Sequence, residues 1–127
     1  MQNIGIQRPQ LSVRTERWPF KKPFRITGYE FTASDVLVVE ARVGDACGRG
    51  EALGVYYRDD EPEGEVGQIE ALIERADDGA NVEELISALP AGGARNAADC
   101  ALWDLRAKLA RRPVWQLLGL ELPRPVR

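Results

Sequence analysis

Histidine is absent from the chain. That excludes His-based nucleophile triads, His-containing zinc sites and a His general base. Acid–base chemistry done by this polypeptide alone would fall to Lys, Tyr or carboxylates. Cysteine is scarce: Cys47 and Cys100 stand far apart with no motif spacing. A disulfide framework is not expected, and reduced thiols in a cytoplasmic protein fit better. Cys100 lies among small residues on an expected helix, with no basic activator nearby, and reads as a small core hydrophobe. No apolar run approaches the ~20 residues that a spanning helix needs. The opening MQNIGIQRPQ lacks the charged-then-apolar pattern of a signal peptide. Basic clusters stop at the pairs Lys21-Lys22 and Arg111-Arg112, and the net charge is −3. Neither a nucleic acid nor an anionic membrane is an expected partner. GxGxxG, P-loop and CxxC motifs are all missing.

What remains is an ordinary soluble composition. At 127 residues the chain suits one domain with one core. Its first third reads as strands. Leu11, Val13 and Thr15 alternate with Ser12, Arg14 and Glu16, the period of a half-buried strand. Val36–Val43 (VLVVEARV) is rich in β-branched residues. Gly44-Asp45 signals a turn, after which Cys47–Leu53 returns as a third strand. The expected result is an antiparallel meander with a long hairpin loop over about Pro19–Ser34.

Helices follow. Pro62 suits a first helical turn, and Val66, Ile69, Ile73 and Ala76 then share a face, with Gly79 as the stop. Asn81 with Glu84 resembles a capping box opening a short helix that carries Leu85, Ile86 and Leu89 and ends at Pro90. A third helix is expected from near Ala94 to about Arg112, with Ala98, Ala101, Leu102, Leu105 and Leu109 as its apolar stripe. A fourth opens at Pro113 and ends at Gly119. Strands followed by helices indicate an α+β fold: a three-stranded antiparallel meander and a helical bundle. The terminal LELPRPVR reads as a linker.

Chemistry-bearing clusters are few. GRGEALG does not open a helix, so it lacks what a phosphate cradle needs and reads as a strand with close backbone approach. Asp99 and Asp104 point to different faces of one helix; pairing with Arg95 and Lys108 at i,i+4 is the simpler account. Asp59, Asp60, Glu61, Glu63 and Glu65 read as a solvated helix N-terminus rather than a metal site. The aromatics say more. Trp18, Phe20, Phe24, Tyr29 and Phe31 crowd the hairpin loop, and Tyr56 and Tyr57 follow the third strand. Such loops either fold over a core or form a binding surface, and the residues alone do not choose.

The segment ALPAGGARNAADCALWDLRAKLARRPVWQLLGL resembles the signature helix of the mandelate racemase/muconate lactonizing enzymes, a branch of the enolase superfamily. The matching positions are Ala94, Asn96-Ala97, Asp99, Ala101-Leu102, Asp104, Ala107-Lys108 and Leu117-Leu118-Gly119; Ala98 departs, where a larger aliphatic is usual. LPAGGARNAADCALWDL is most similar to the dipeptide epimerase branch. Trp18-Pro19, Pro23-Phe24, Ile26, VLVVE and GRGEA agree with it, so the resemblance runs from about Leu11 to Leu122.

The resemblance implies an enolase-type N-terminal capping domain over residues 1–122, with 123–127 starting a linker. The domain would close over the mouth of a (β/α) barrel, its own C-terminal partner. Lys acid/base residues and three carboxylates holding Mg²⁺ belong to that barrel; the metal stabilises an enolate formed by α-proton abstraction. No barrel residue is present, so this chain alone is expected to be inactive and to carry no metal or cofactor. The cap loops would contact a small-molecule substrate through Phe24, Arg25, Ile26, Thr27, Tyr29, Phe31, Tyr56 and Tyr57. Family members acting on Ala-Glu place an Arg late in the hairpin loop; Phe31 stands there, with Arg25 nearby but out of register. An apolar or aromatic dipeptide is therefore expected rather than an acidic one. Homo-oligomerisation is expected through surfaces that the barrel would cover. The competing reading is a free-standing interaction domain that kept the cap fold without catalysis.

Overall fold

The computed structural model describes residues 8–54 and 61–126. Among them, β1 (Gln10–Ile26), β2 (Tyr29–Val43) and β3 (Ala46–Leu53) form one antiparallel sheet in the order β1-β2-β3. Four helices follow: α1 (Pro62–Asp77), α2 (Val82–Ala88), α3 (Gly93–Ala110) and α4 (Val114–Leu117). This is the expected α+β meander and helical layer, and no barrel is built by these residues.

The β-branched run of β2 makes it the central strand. Leu37, Val39 and Ala41 face the helices and are fully buried, while Glu40 between them faces the other side. Gly44, at φ +56°, closes the β2–β3 turn where the sequence placed it. The helix punctuation also holds. Pro62 opens α1, and Gly79 adopts φ +104° just past its end. The Asn81 side chain accepts the Glu84 N–H at 3.1 Å.

The core lies between the sheet and α3, and glycine sets its closeness. Gly48 and Gly50 of β3 face α3 directly. A Cβ on Gly50 would overlap the carbonyl oxygen of Ala97, and one on Gly48 that of Ala101. Ala94, Ala97, Ala98 and Ala101 supply the matching small surface, all essentially buried. The contact runs antiparallel, so the N-terminus of α3 meets the C-terminal end of β3.

The outer edge of β3 is closed by α3 side chains. The Arg49 N–H donates to Asp104 Oδ2 at 2.8 Å, and Lys108 Nζ donates to the Cys47 carbonyl at 2.6 Å and to Asp104 Oδ2 at 2.8 Å. Burial opposes the ionised Asp104, but the bonds from Lys108 and Arg49 outweigh it and hold the carboxyl below its usual range. An open strand edge is thereby satisfied within the chain.

The other sheet face carries an ionic lattice. Glu40 is 5% exposed and takes Arg14 at 3.1 Å, Arg42 at 2.8 Å and Arg49 at 2.9 Å. The Arg42 hydrogen bond is foremost in pulling its pKa down to about 2, against burial that opposes ionisation.

Several expectations are corrected. The span Pro19–Ser34 is no loop: β1 and β2 continue through it and turn only at Thr27-Gly28. Prolines and glycine suggested a break, but β1 is an edge strand, where proline is tolerated. Cys100 is exposed rather than a core hydrophobe, and Leu109 is exposed at the end of the stripe. The buried face of α1 is Glu65, Ile69, Leu72 and Ala76, with Val66 and Ile73 at its margins. Glu65 is 1% exposed, not part of a solvated N-terminus. The Asp104–Lys108 pair forms as expected, whereas Asp99 has no ion-pair partner among the described residues.

Candidate functional site

Beyond Pro19 the β1–β2 ladder breaks. Pro19 pairs with Ala33, but the next pair is Phe24 with Phe31, so Phe20–Pro23 on one strand oppose Thr32 alone. Pairing then resumes through Arg25–Glu30 and Ile26–Tyr29 to the turn, where Gly28 has φ +80°. Alternation sorts this tip into two faces. Phe24, Ile26, Tyr29 and Phe31 share one; Arg25 and Glu30 share the other and pair at 3.4 Å.

The apolar face is organised and partly exposed. Tyr29 stacks on Phe31 with centroids 6.0 Å apart, and Phe24 packs on Phe31 at 6.5 Å. Phe24 is nevertheless 57% exposed and Tyr29 49%, while Phe31 is half-buried. Of the two uses the sequence left open for these aromatics, a folded core and a surface, the tip presents the surface. The structure brings Phe24, Ile26, Tyr29 and Phe31 together, puts Thr27 in the turn, and turns Arg25 to the opposite side. Tyr56 and Tyr57, with Asp59 and Asp60, lie outside the described residues.

At the base of the tip a groove of about 770 Å³ opens between Trp18 and Ser34, the end of β3 at Glu51–Leu53, Glu65 of α1, and the Pro90–Ala94 turn into α3. Trp18 is fixed by donating its indole N–H to Glu16 Oε2 at 2.8 Å; that bond, with Arg14, lowers the Glu16 pKa. The Glu65 carboxylate lies against Gly93, where any Cβ would collide with it. It thus sits at the first turn of α3, where the helix dipole favours negative charge. Sequence reasoning missed Glu65 because it treated an acid near a helix start as solvated. Its spacing to Ile69, Leu72 and Ala76 and the Gly92-Gly93 pair were the available signals.

Among the described residues the site shows no nucleophile–base pair. Cys100 lies elsewhere, and its thiol pKa is pushed up by burial and by Asp99. Among the described residues no three carboxylates or cysteines gather to hold a metal, and no helix is long and apolar enough to cross a membrane. The described residues form an apolar face beside a groove.

Comparison with known proteins decides the family. Residues 9–119 match the family model for the mandelate racemase / muconate lactonizing enzyme N-terminal domain. The chain belongs to the mandelate racemase/muconate lactonizing enzyme family. It is 38% identical to the L-Ala-D/L-Glu epimerase of Escherichia coli (strain K12), over 91% of this chain and 36% of that protein. An enolase family member from Agrobacterium tumefaciens with homology to dipeptide epimerases, solved with sodium and L-Ala-L-Glu, superposes with a TM-score of 0.77 at 35% identity, over 89% of this chain and 35% of that one. A dipeptide epimerase from Methylococcus capsulatus, solved with Mg and L-Arg-D-Lys, gives 0.73 at 28% identity, again over 89% and 35%. The chain therefore spans about a third of the length of these relatives. The family resemblance read from the α3 segment holds, as does the enolase-type capping fold.

Proposed function

We propose that this domain, over residues 1–122 with 123–127 leading onward, is the substrate-capping, specificity-determining part of a larger cytoplasmic epimerase or racemase. The substrate would be a dipeptide or related carboxylate, isomerised by α-proton abstraction on a C-terminal barrel. The carrying observation is the ordered cluster of Phe24, Ile26, Tyr29 and Phe31, whose first three members keep much of their surface exposed, at the same end of the domain as the groove. A face of stacked aromatics partly open to solvent is the kind of surface that closes on a ligand. The epimerase relatives and their dipeptide ligands supply the substrate class. Mg²⁺ belongs in this reading to the barrel; among the described residues no ligand set gathers. Tyr56 and Tyr57 are candidate contacts from the segment after β3, and Arg25 and Thr27 border the tip.

Phe31 governs side-chain preference in this reading. It is the centre of the aromatic cluster, and Arg25 is turned away from it toward Glu30. An apolar or aromatic substrate side chain matches such a wall. The test is Phe31→Arg in the full-length enzyme, assayed by deuterium exchange into a dipeptide panel. The ratio of kcat/KM should move about tenfold toward acidic side chains, because a desolvated guanidinium favours a carboxylate partner. An unchanged profile overturns the placement. In the same assay this chain alone is expected to give only the buffer rate, and exchange that copurifies with it would refute the division of labour. Homo-oligomerisation through the uncovered apolar surfaces is part of the same proposal.

A further inference from the structure

The groove and hairpin tip depend on where the end of β3 stands, and that strand has two unequal sides. Toward β2 it is held by the ladder from Val43–Ala46 to Val36–Leu53. Its outer edge is held by α3, through the Asp104 bond to the Arg49 N–H and the Lys108 bond to the Cys47 carbonyl. Both α3 side chains are tied to each other one helical turn apart. Gly48 and Gly50 bring the strand to backbone contact with the same helix. Asp104 and Lys108 thus fix β3 along the direction in which the smooth glycine–alanine contact offers least resistance. The N-terminal turn of α3 and the last residues of β3 are opposite walls of one groove.

We propose that Asp104 and Lys108 are positioning residues for substrate recognition: they lock β3 on α3 so that Glu51–Leu53 keep their place beside Trp18. The inference rests on the reading of this end of the domain as substrate-facing. Neither residue touches the groove, so their effect passes through the strand. Loss of the lock lets the wall shift and weakens substrate capture, while proton transfer, done elsewhere, keeps its rate.

The experiment uses the full-length enzyme, with kcat and KM measured per active site. Asp104→Ala and Lys108→Met should each raise KM about fivefold or more and leave kcat within about twofold. Asp104→Asn keeps an oxygen for the Arg49 N–H and should recover most of the Asp104→Ala loss. Val82→Ala, a buried truncation in α2, serves as the stability control; it should lower the Tm without moving KM. If Asp104→Ala does not fold, exposed Lys108→Met carries the test. A KM unchanged in Lys108→Met, or raised equally by Val82→Ala, overturns the positioning role. Leu53→Ala separates the two levels. If it raises KM while the lock variants do not, the positioning proposal fails alone. If it too leaves KM unmoved, the substrate-facing reading falls and the positioning role with it.

Discussion

The sheet is two structures in one ladder. Around Leu11 and Val13 of β1 and Leu37, Val39 and Ala41 of β2, alternate residues pack into the core, and on β3 backbone meets backbone at Gly48 and Gly50. Past Phe20–Pro23 the same two strands pair again, and their aromatic rings pack on one another while Phe24 and Tyr29 stay about half exposed. The first half is specified by what it touches. The second is specified by strand alternation and one turn, and it leaves its largest side chains outside. Hydrophobic residues therefore sit differently in the two halves: buried in one, and largely exposed at Phe24, Ile26 and Tyr29 in the other.

Three substitutions test that contrast, and Gly50→Ala should have the largest effect. A single methyl there meets the Ala97 carbonyl, and rigid backbone on both sides cannot yield without parting strand from helix. A loss of about 3 kcal/mol or failure to fold is expected in urea unfolding. A loss within ~0.5 kcal/mol would show that the contact is looser than a packed interior.

Glu40→Gln comes next. It leaves Arg14, Arg42 and Arg49 around a neutral amide, and a cost of about 2 kcal/mol at neutral pH is expected, below the usual range for buried pairs because the guanidiniums are solvated. The sign of the pH effect follows from a folded pKa near 2 against an ordinary 4.5. The folded state favours the ionised form, so the contribution is present above pH 4.5 and lost as pH falls toward 2. Acid titration of stability should flatten over that window in Glu40→Gln; an unaltered acid limb would assign it to other carboxylates.

The smallest change is expected at the tip. Phe24→Ser should alter stability by no more than ~0.5 kcal/mol, since the ring is mostly exposed and little packing is lost. Equilibrium unfolding checks this. A loss like that of Gly50→Ala would erase the distinction between the halves.

The packed half was the more legible one. Period-two alternation found its strands, and proline, asparagine and glycine marked helix ends that the structure keeps, because those signals act within one or two turns of chain. The glycines of GRGEALG point to a strand with close approach, and Gly48 and Gly50 are where it occurs. What the sequence concealed depends on partners distant along the chain. Nothing near Asp104 announces the Arg49 N–H, 55 residues away. Glu65 continues the spacing of Ile69, Leu72 and Ala76, yet its charge disguised it as surface. Cys100 erred the other way, its small neighbours suggesting burial while its own side of α3 faces out. At the tip the aromatics were picked out as site candidates, but prolines masked the strands that carry them, and only pairing shows that Arg25 and Phe31 look in opposite directions.

The four-against-one break at Phe20–Pro23 has a further consequence. Strand registers ordinarily propagate: one inserted residue would turn every later side chain to the wrong face. Here the mismatch is already absorbed, so Phe24–Phe31 behaves as a cassette whose phase is set by its own turn. Its length and face can be exchanged without re-indexing Leu11, Val13 or their partners in β2. A lineage, or an engineer, can rewrite the face this end of the molecule presents while the remaining sheet keeps its count.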